Sequence, residues 1–297
     1  MRNNIFLSGF TFIRNGKKLD YPFIEVINSL ISVCDEVVVN VVSSEDETLE
    51  WIKRIKDKKL RIIETPYRGE KGAAFFEKMA SIPLKECRGE WLLHLQGDEI
   101  PTDGASKHII PLLRKFSSFK KIEGFTFRFR HFYVDYWHYY EGYGWFPREV
   151  RIIRNGIGIM PYKDSPGFRR NGRKLKVLTL PFYIHHYGWV KERDKMILKQ
   201  VEFHRYYNRE FKISGEPYTR FSGLRIYRGE HPAVMQKRVK AFKREDIPIS
   251  LTDPGKRRRF QECIDDLTER YTNRRILEYE NFIPIGRFGP PYSPIKR

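Results

Sequence analysis

Glu36-Val37-Val38-Val39-Asn40-Val41-Val42 is a β-branched run with one polar interruption, bounded by Asp35 before it and Ser43-Ser44-Glu45-Asp46-Glu47 after it. Such a run between polar boundaries reads as a buried strand. Upstream, Phe23, Ile27, Leu30, Ile31 and Cys34 fall at i, i+4, i+7, i+8 and i+11, the apolar face of a helix over residues 22–34. Downstream, Ser44-Glu45-Asp46-Glu47 has the form of a capping box opening a helix through Trp51 and Ile55. Further out, residues 5–12, 60–64 and 91–96 read as strands and residues 72–80 as a helix. Strands alternating with helices at this spacing imply βαβ units and a parallel sheet. The ligand crevice of such a sheet lies beyond the carboxyl ends of its strands, here at residues 12–15, 41–44 and 96–99.

After residue 120 the pattern changes. Residues 124–131 (GFTFRFRH) alternate with period two, and residues 150–154, 175–180 and 183–186 read as further short strands. Between them lie an aromatic run over residues 132–146 and a Gly/Arg-rich loop over residues 161–174. Residues 192–208 form a long polar helix, and residues 209–297 hold basic helical segments ending in a Gly/Pro-rich tail over residues 284–294, read as a mobile or surface-wrapped arm. The expected organisation is a main domain over residues 1–208 and a basic, mostly helical extension over residues 209–297. No internal repeat is visible.

The chain has 297 residues, with 56 Lys+Arg against 37 Asp+Glu, a formal charge of +19. Hydrophobic residues at 40% are enough for a sizeable core, which excludes global disorder. No run of about 18 apolar residues occurs, so no membrane span is expected. The first residues lack a small-residue cleavage site, and Cys34, Cys87 and Cys263 are widely spaced and odd in number. A secretory leader, a disulfide framework and a zinc site are therefore not expected, and a cytoplasmic protein is.

The positive charge suits anionic partners. It concentrates at Arg169-Arg170, at Arg173-Lys174 and in residues 237–244 and 256–259. No helix-turn-helix, zinc-finger or RNA-motif signature accompanies these clusters, so nucleic acid is not the expected partner. A solvated surface and peripheral contact with an anionic membrane, on its inner face, remain as readings. Phe260, Ile264, Leu267 and Tyr271 recur at i, i+4, i+7 and i+11 among basic residues, a helix that either packs on the main domain or lies on such a membrane.

Leu92-Leu93-His94-Leu95-Gln96-Gly97-Asp98-Glu99 is the segment richest in chemistry. An apolar strand ends in a small residue and two carboxylates where a parallel sheet binds its ligand. A hard cation such as Mg²⁺ or Mn²⁺ takes carboxylate oxygens and bridges them to phosphates. The alternative is that Asp98 and Glu99 cap the turn before Pro101. Tyr67-Arg68-Gly69-Glu70-Lys71-Gly72 is Gly-rich and basic but lacks the Walker spacing, which excludes a P-loop.

Gln96-Gly97-Asp98 stands where family 2 glycosyltransferases of the GT-A fold carry their Asp-x-Asp motif, and neighbouring segments agree in order. Phe10-Thr11-Phe12-Ile13-Arg14-Asn15 resembles the family's first strand and nucleotide loop, and residues 39–48 (VNVVSSEDET) resemble its second strand with the following Ser-x-Asp-x-Thr. Phe146-Pro147-Arg148-Glu149-Val150-Arg151-Ile152-Ile153-Arg154 is similar to the Arg-rich strand of the bacterial branch that builds surface polysaccharide and lipopolysaccharide core. Ile184-His185-His186-Tyr187-Gly188-Trp189 is similar to that branch's late His-Tyr motif. The first Asp of the metal motif is Gln96 here, and Asn40, Val41 or Val42 replaces the acidic residue that follows the second strand.

The resemblance implies an α/β protein with a GT-A-like, Rossmann-type, mostly parallel sheet flanked by helices, a small antiparallel acceptor-side region and the basic extension. It implies inverting transfer of a sugar from a nucleotide-diphosphate sugar to a glycan or lipid-linked acceptor of the cell surface, with Mg²⁺ or Mn²⁺ on Asp98 and His186. Phe12, Arg14, Ser43, Lys71, Gln96, Gly97 and Arg151 then face the donor, the charged ones neutralising its diphosphate. His185 and His186 point to opposite faces if they lie on a strand, so His185 packs behind; both can instead be core histidines. Asp164 is the candidate base for the acceptor hydroxyl, with Glu149 as the other candidate. More than half of residues 131–146 are aromatic, and Tyr143 and Trp145 suit the flat faces of an acceptor sugar, core packing being the alternative for about half of these rings. The rival function is a non-catalytic protein on a degenerate transferase fold, binding glycan or an anionic polymer.

Overall fold

The computed structural model describes residues 5–140, 145–164, 167–207, 218, 224–243, 263–264, 267–268, 271–272, 280–289 and 293–295. Its first part alternates β1 (Leu7–Ile13), α1 (Phe23–Val33), β2 (Glu36–Val42), α2 (Thr48–Lys53), β3 (Leu60–Thr65), α3 (Gly72–Glu86) and β4 (Trp91–His94). β1 runs parallel to both β2 and β4, and β2 parallel to β3, giving the order β3-β2-β1-β4. The chain builds outward from β1 to β3 and then returns to lay β4 on the other side of β1. That reversal opens a crevice at the carboxyl ends of β1 and β4.

β2 is buried along its whole length because helices cover both faces. Val37, Val39 and Val41 pack with Val26, Ile27 and Leu30 of α1, while Val38 packs with Phe10, Leu84 and Leu92 on the other side. Asn40 sits among them with its amide satisfied. Its Nδ2 donates to the Met79 carbonyl at 3.0 Å, and its Oδ1 accepts from Thr65 Oγ1 at 2.6 Å. Met79 O is free for this because Pro83, four residues on, has no N–H to donate to it. The helix expected over residues 72–80 thus continues through Pro83 to Glu86.

Ser44-Glu45-Asp46-Glu47 does not form the expected capping box. Asp46 Oδ1 accepts from the Thr48 N–H at 3.1 Å, and Ser44 Oγ accepts instead from the Asn15 N–H at 3.0 Å, tying the ends of β1 and β2 together.

The rest of the chain contributes β5 (Glu99–Pro101), α4 (Asp103–Phe116), β6 (Gly124–Val134), β7 (His138–Tyr140), β8 (Arg148–Arg154), β9 (Ile159–Tyr162), β10 (Gly167–Arg170), β11 (Arg173–Lys174), β12 (Lys176–Val190), α5 (Arg193–Tyr206), β13 (Arg225–Ile226), α6 (Gln236–Ala241), β14 (Ile283–Gly289) and β15 (Ser293–Ile295). β8 joins β4 and β6 antiparallel, β6 runs parallel to β12, and the main sheet reads β15-β14-β12-β6-β8-β4-β1-β2-β3. It is a mixed α/β fold with a mostly parallel central sheet flanked by helices.

Several elements differ from expectation. The two short strands over residues 175–186 are one long strand, β12, whose register shifts between Thr179 and Tyr183 around Pro181, which has no N–H to give. The Gly/Arg-rich loop over residues 161–174 holds β9, β10 and β11, a small antiparallel sheet that turns through Asn171 and Gly172 at φ 49° and 79°. β5, not visible in the sequence, pairs antiparallel with β12.

Described residues after 208 also meet the main sheet and its helices. β14, from the tail read as an arm, runs parallel to β12, and Arg238 of α6 pairs with Asp20 at 2.7 Å and Glu25 at 3.1 Å. Of the apolar stripe in the basic extension, Phe260 lies outside the described residues, and Leu267 and Tyr271 are exposed. Among the described residues no helix is long and apolar enough to cross a membrane.

Candidate active site

The chain leaves β4 at His94, bends through Leu95, Gln96, Gly97 and Asp98, and enters β5. There Glu99 pairs with His186, Ile100 with His185 and Pro101 with Ile184 of β12. The Tyr187 N–H donates to the Asp98 carbonyl at 2.8 Å. Strand pairing therefore brings the acidic bend and the His-Tyr motif to one place. His186 Nε2 lies 3.5 Å from Asp98 Oδ2. On its other side, His186 Nδ1 meets His131 Nδ1 at 3.0 Å, and His131 Nε2–H donates to the Phe146 carbonyl at 2.8 Å.

Gly188 makes the space between these groups. A Cβ at this position would overlap Asp98 Oδ2 and stand 2.9 Å from His186 Nε2 and 3.0 Å from Lys199 Nζ. Lys199 reaches in from α5 and donates to the Gly188 carbonyl at 2.6 Å. That helix is held over the crevice by buried Glu202, which accepts from Lys18 at 3.2 Å. Burial alone would lift the Asp98 carboxyl, but His186, Lys199 and Lys191 hold it well below the usual carboxylate range. Burial pushes the Lys199 ammonium down to about 8, with Asp98 partly opposing, and pushes Lys191 well below its ordinary value with help from Lys199.

Of the groups at this cradle, Asp98 offers the carboxylate oxygen that Mg²⁺ and Mn²⁺ take and His186 an imidazole nitrogen, with the Lys199 ammonium at the same gap. Among the described residues no group of three or more His, Cys, Asp or Glu forms a metal cluster. A cation here would draw its remaining oxygens from water or from a phosphorylated ligand.

The donor-side residues divide. Phe12, at the end of β1, packs edge-on against Phe75 and Phe76, each at 6.2 Å, and Tyr206 of α5 stacks on Phe75 at 4.9 Å. Arg14 lies 4.0 Å over the Tyr67 ring, donates to Tyr206 Oη at 2.7 Å and pairs with Glu45 at 3.2 Å. Ser43 is exposed at the end of β2, with its N–H donating to the Thr65 carbonyl at 2.8 Å, and Lys71 is exposed at the start of α3. Gln96 and Gly97 are partly exposed on the bend, and a Cβ on Gly97 would stand 2.9 Å from Ile13 Cδ1. The bend therefore passes close to the end of β1.

Arg151 is a correction. Expected at the diphosphate, it is fully buried and bound in a fork to Glu99, Nε to Oε2 and Nη2 to Oε1 both at 2.6 Å. Glu99 alternates inward from Asp98 along the chain, and a carboxylate turned into the core needs this counter-charge. The motif thus presents one carboxylate to the crevice.

On the acceptor side, Tyr143 lies outside the described residues. Trp145 is half-buried, edge-on to His131 at 4.9 Å, and 6.5 Å from the His186 ring. Asp164 is exposed in the turn between β9 and β10, next to Lys163, whose N–H donates to Glu77 Oε2 of α3 at 3.1 Å. No described contact joins it to Asp98 or His186. Glu149 is buried, and burial lifts its carboxyl to about 8 with Arg151 opposing, so it is protonated at neutral pH. His185 lies behind His186, as strand alternation requires, against Phe132 and Tyr227.

Sequence reasoning missed His131, Gly188, Lys199 and Tyr206. His131 ends the period-two strand, and Gly188 sits inside the His-Tyr motif. Lys199 and Tyr206 lie on a helix whose polar composition carries no signal.

Fold and site together define an α/β protein with a carboxylate, an imidazole and an ammonium gathered at the carboxyl edge of a parallel sheet. No family model matches the sequence, and the curated proteins give no match. Among solved structures, the chain is similar to S. aureus TarS, at 17% identity over 70% of this chain and 40% of that one, with a TM-score of 0.40. It is also similar to TarS 1-349 in complex with UDP-GlcNAc, at 16% identity over 70% and 68% of the two chains and a TM-score of 0.39. A mycobacterial protein is similar at 16% identity over 43% and 42%, with a TM-score of 0.30. The similar region thus spans well under two thirds of full TarS.

Proposed function

We propose that this chain is an inverting, family 2-like glycosyltransferase that moves a sugar from a nucleotide-diphosphate sugar to a glycan or lipid-linked acceptor of the cell surface. The observation that carries this reading is the cradle at Gly188, where Asp98, His186 and Lys199 converge at the sheet's ligand crevice.

Asp98 and His186 would hold Mg²⁺ or Mn²⁺, which when bound offsets the charge that builds on a departing diphosphate. Lys199 supplies a positive charge of the chain's own to the same phosphates. Gln96 and Gly97 let the donor approach the bend, and the partly exposed rings of Phe12, Tyr67, Phe76 and Tyr206, packed around buried Phe75, offer ring surface for a nucleotide base. Ser43 and Lys71 line the outer edge of that side. Arg14 serves it indirectly, by holding Tyr67 and Tyr206 in place.

Trp145, beside His186, provides a flat face for the acceptor sugar, with Tyr143 close in sequence. Asp164 is the proposed base because it is exposed to an incoming acceptor, whereas Glu149 already carries a proton at neutral pH. As the acceptor oxygen bonds to the anomeric carbon from the opposite face, the bond to the diphosphate breaks. The electron pair leaves with the diphosphate, and the hydroxyl proton passes to Asp164 Oδ. A cytoplasmic enzyme meeting a lipid-linked acceptor at the inner face of a membrane is the setting that fits a +19 chain.

The test is a thermal-shift panel of nucleotide sugars with Mg²⁺ or Mn²⁺, followed by product analysis. A ligand at about 100 times its Kd stabilises by about 2.7 kcal/mol. Asp98→Asn should remove the metal-dependent part of the shift and leave the unliganded melting curve cooperative. Equal shifts in parent and Asp98→Asn, with and without chelator, would refute the reading. Asp164→Asn should lower turnover by about 10²–10⁴-fold with donor affinity unchanged. A donor that binds but is never transferred or hydrolysed would favour the non-catalytic alternative, which Gln96 in the metal motif brings into view.

A further inference from the structure

β6 runs parallel to β4, because both are antiparallel to β8, so the turn that follows β6 lies at the same sheet edge as the crevice. From that turn β7 returns, and β13 pairs with it in a two-stranded ribbon. There Ile226 lies opposite His138, and the Tyr227 N–H donates to the Trp137 carbonyl at 2.7 Å. Successive side chains of a strand face opposite ways. Tyr227 turns inward against Phe132 at 5.0 Å, so Ile226 turns out and is 57% exposed. Trp137, 36% exposed, rests its ring 6.2 Å from Phe242, which follows α6. Arg238 of α6 faces inward to Asp20 and Glu25, while Lys237, Lys240 and Lys243 are exposed. Arg228 adds a further exposed cation, and Glu230 is the one carboxylate in the sequence of residues 224–243.

We propose that this end of the molecule, Trp137 and Ile226 together with Arg228, Lys240 and Lys243, is the surface that rests on an anionic membrane. The inference rests on the reading above that the acceptor is lipid-linked, and it names the part of the chain that meets the lipid.

Exposed apolar side chains scattered singly need no explanation. A tryptophan and a branched aliphatic side chain at the end of one ribbon, beside several lysines, match both forces that hold a peripheral protein to a bilayer. An indole suits the boundary between headgroups and acyl chains. Each Lys or Arg near an anionic surface strengthens partition by about fivefold. A second basic patch, Phe119 with Lys120 and Lys121, is exposed just before β6 and therefore at the opposite edge of the sheet. Docking there would turn the crevice away from the lipid. The Trp137 end adjoins the crevice instead. Trp145, assigned above to the acceptor sugar, meets Tyr140 of β7 at 5.9 Å, and the strand from Tyr140 back to Trp137 spans about 10 Å. An acceptor held in the bilayer by its lipid would thus meet the crevice at the membrane surface.

The test uses the full chain, without donor, in sedimentation with vesicles of phosphatidylcholine alone and of phosphatidylcholine and phosphatidylglycerol in equal parts. Binding to the anionic vesicles that weakens from low to physiological salt is expected, and no binding to them at low salt overturns the proposal. Lys240→Gln combined with Lys243→Gln should lower the partition by about 25-fold. Lys120→Gln combined with Lys121→Gln, at the opposite edge, should change it by less than about threefold. A loss in the second pair as large as in the first overturns the proposal. Bromine on the acyl chains quenches an indole that enters the bilayer, so the parent's fluorescence should fall on binding and that of Trp137→Phe should fall much less. Quenching that persists in Trp137→Phe assigns the contact to another surface and overturns the proposal. Because no donor is present, failure to dock leaves the transferase reading standing. Docking through Trp137 by a protein that binds no nucleotide sugar supports the surface and overturns that reading instead.

Discussion

β12 carries a histidine-containing hydrogen-bond chain on each of its faces, and the two end differently. On one face the chain runs from the Phe146 carbonyl through His131 to His186. On the other, His231 Nε2–H donates to the Tyr136 carbonyl at 2.9 Å, Tyr187 O–H donates to His231 Nδ1 at 2.8 Å, and His185 Nδ1–H donates to Tyr187 Oη at 3.0 Å. Both chains are anchored on a main-chain oxygen and both pass through buried rings. The first ends on Asp98 and the gap at Gly188. The second ends on aromatic rings, with His185 Nε2 buried and without a hydrogen-bond partner among the described residues. Burial pushes His185 well below its ordinary pKa, with His231 and Arg130 adding to it, so that ring is neutral. The imidazole is common to both faces. A facing carboxylate and the missing side chain of a glycine are what separate the His186 face from the packed core behind it.

The comparison breaks most severely at Gly188. Gly188→Ala should make the front face resemble the back, because its methyl would occupy the gap. We expect Mn²⁺ affinity in the presence of UDP to fall by about 100-fold. The melting temperature should change little, since the displaced atoms are the far ends of Asp98, His186 and Lys199. A parent-like Mn²⁺ affinity in that variant would show that the gap is not the binding site. The matching control on the back face is His185→Phe, which should leave Mn²⁺ and UDP binding within about twofold while altering stability alone.

A smaller effect sharpens the comparison through pH. Lys199 is positive below about 8 and loses its charge as the pH rises through that value, whereas a free lysine would keep it to about 10.5. Affinity for a nucleoside diphosphate should therefore decline by about tenfold between pH 7 and pH 9.5, the worth of one charge-assisted hydrogen bond. Lys199→Arg should flatten that decline in calorimetric titrations; an equal decline in both proteins would assign the charge elsewhere.

The smallest expected change concerns Glu149, which belongs to neither face. Burial lifts its carboxyl from the ordinary 4.5 to about 8, so the folded state holds a proton that the unfolded chain releases. Its contribution to stability is fully present below pH 4.5 and is lost as the pH climbs through 8. Glu149→Gln should accordingly raise the melting temperature relative to the parent by a few degrees more at pH 8.5 than at pH 5. The same increment at both pH values would mean the carboxyl is ionised throughout.

The parts of the molecule legible in sequence are those set by local pattern. The helix carrying Phe23, Ile27 and Leu30 and the strand Glu36–Val42 are visible because their periods differ and their boundaries are polar. Asp98 stands out because an apolar strand stops at it, and the opposite facing of His185 and His186 follows from strand alternation. β5 is not legible, since Glu99–Pro101 is too short to show a period and forms only by pairing with β12. Arg151 looks like a surface cation because nothing near it in sequence reveals that Glu99 lies opposite. His131, Gly188 and Lys199 meet only through the pairing of β6 with β12 and the return of α5, contacts between residues distant in sequence. The same limit applies to β14, whose place beside β12 follows from tertiary pairing rather than from its Gly/Pro-rich composition.

The bond from Asn40 to Met79 also acts as an alignment key. Along the face of α3 that meets β2, Pro83 deprives the Met79 carbonyl of its helical donor, and Asn40 is the amide in β2 that supplies one. Sliding the helix by one residue would strand both groups in the core, at about 1–3 kcal/mol each. Misdocked arrangements are thereby selected against during assembly, although the hydrogen bond itself adds little net stability. Because Phe75 and Phe76 ride on the same helix, this single buried amide also sets where the aromatic floor beside Arg14 comes to rest.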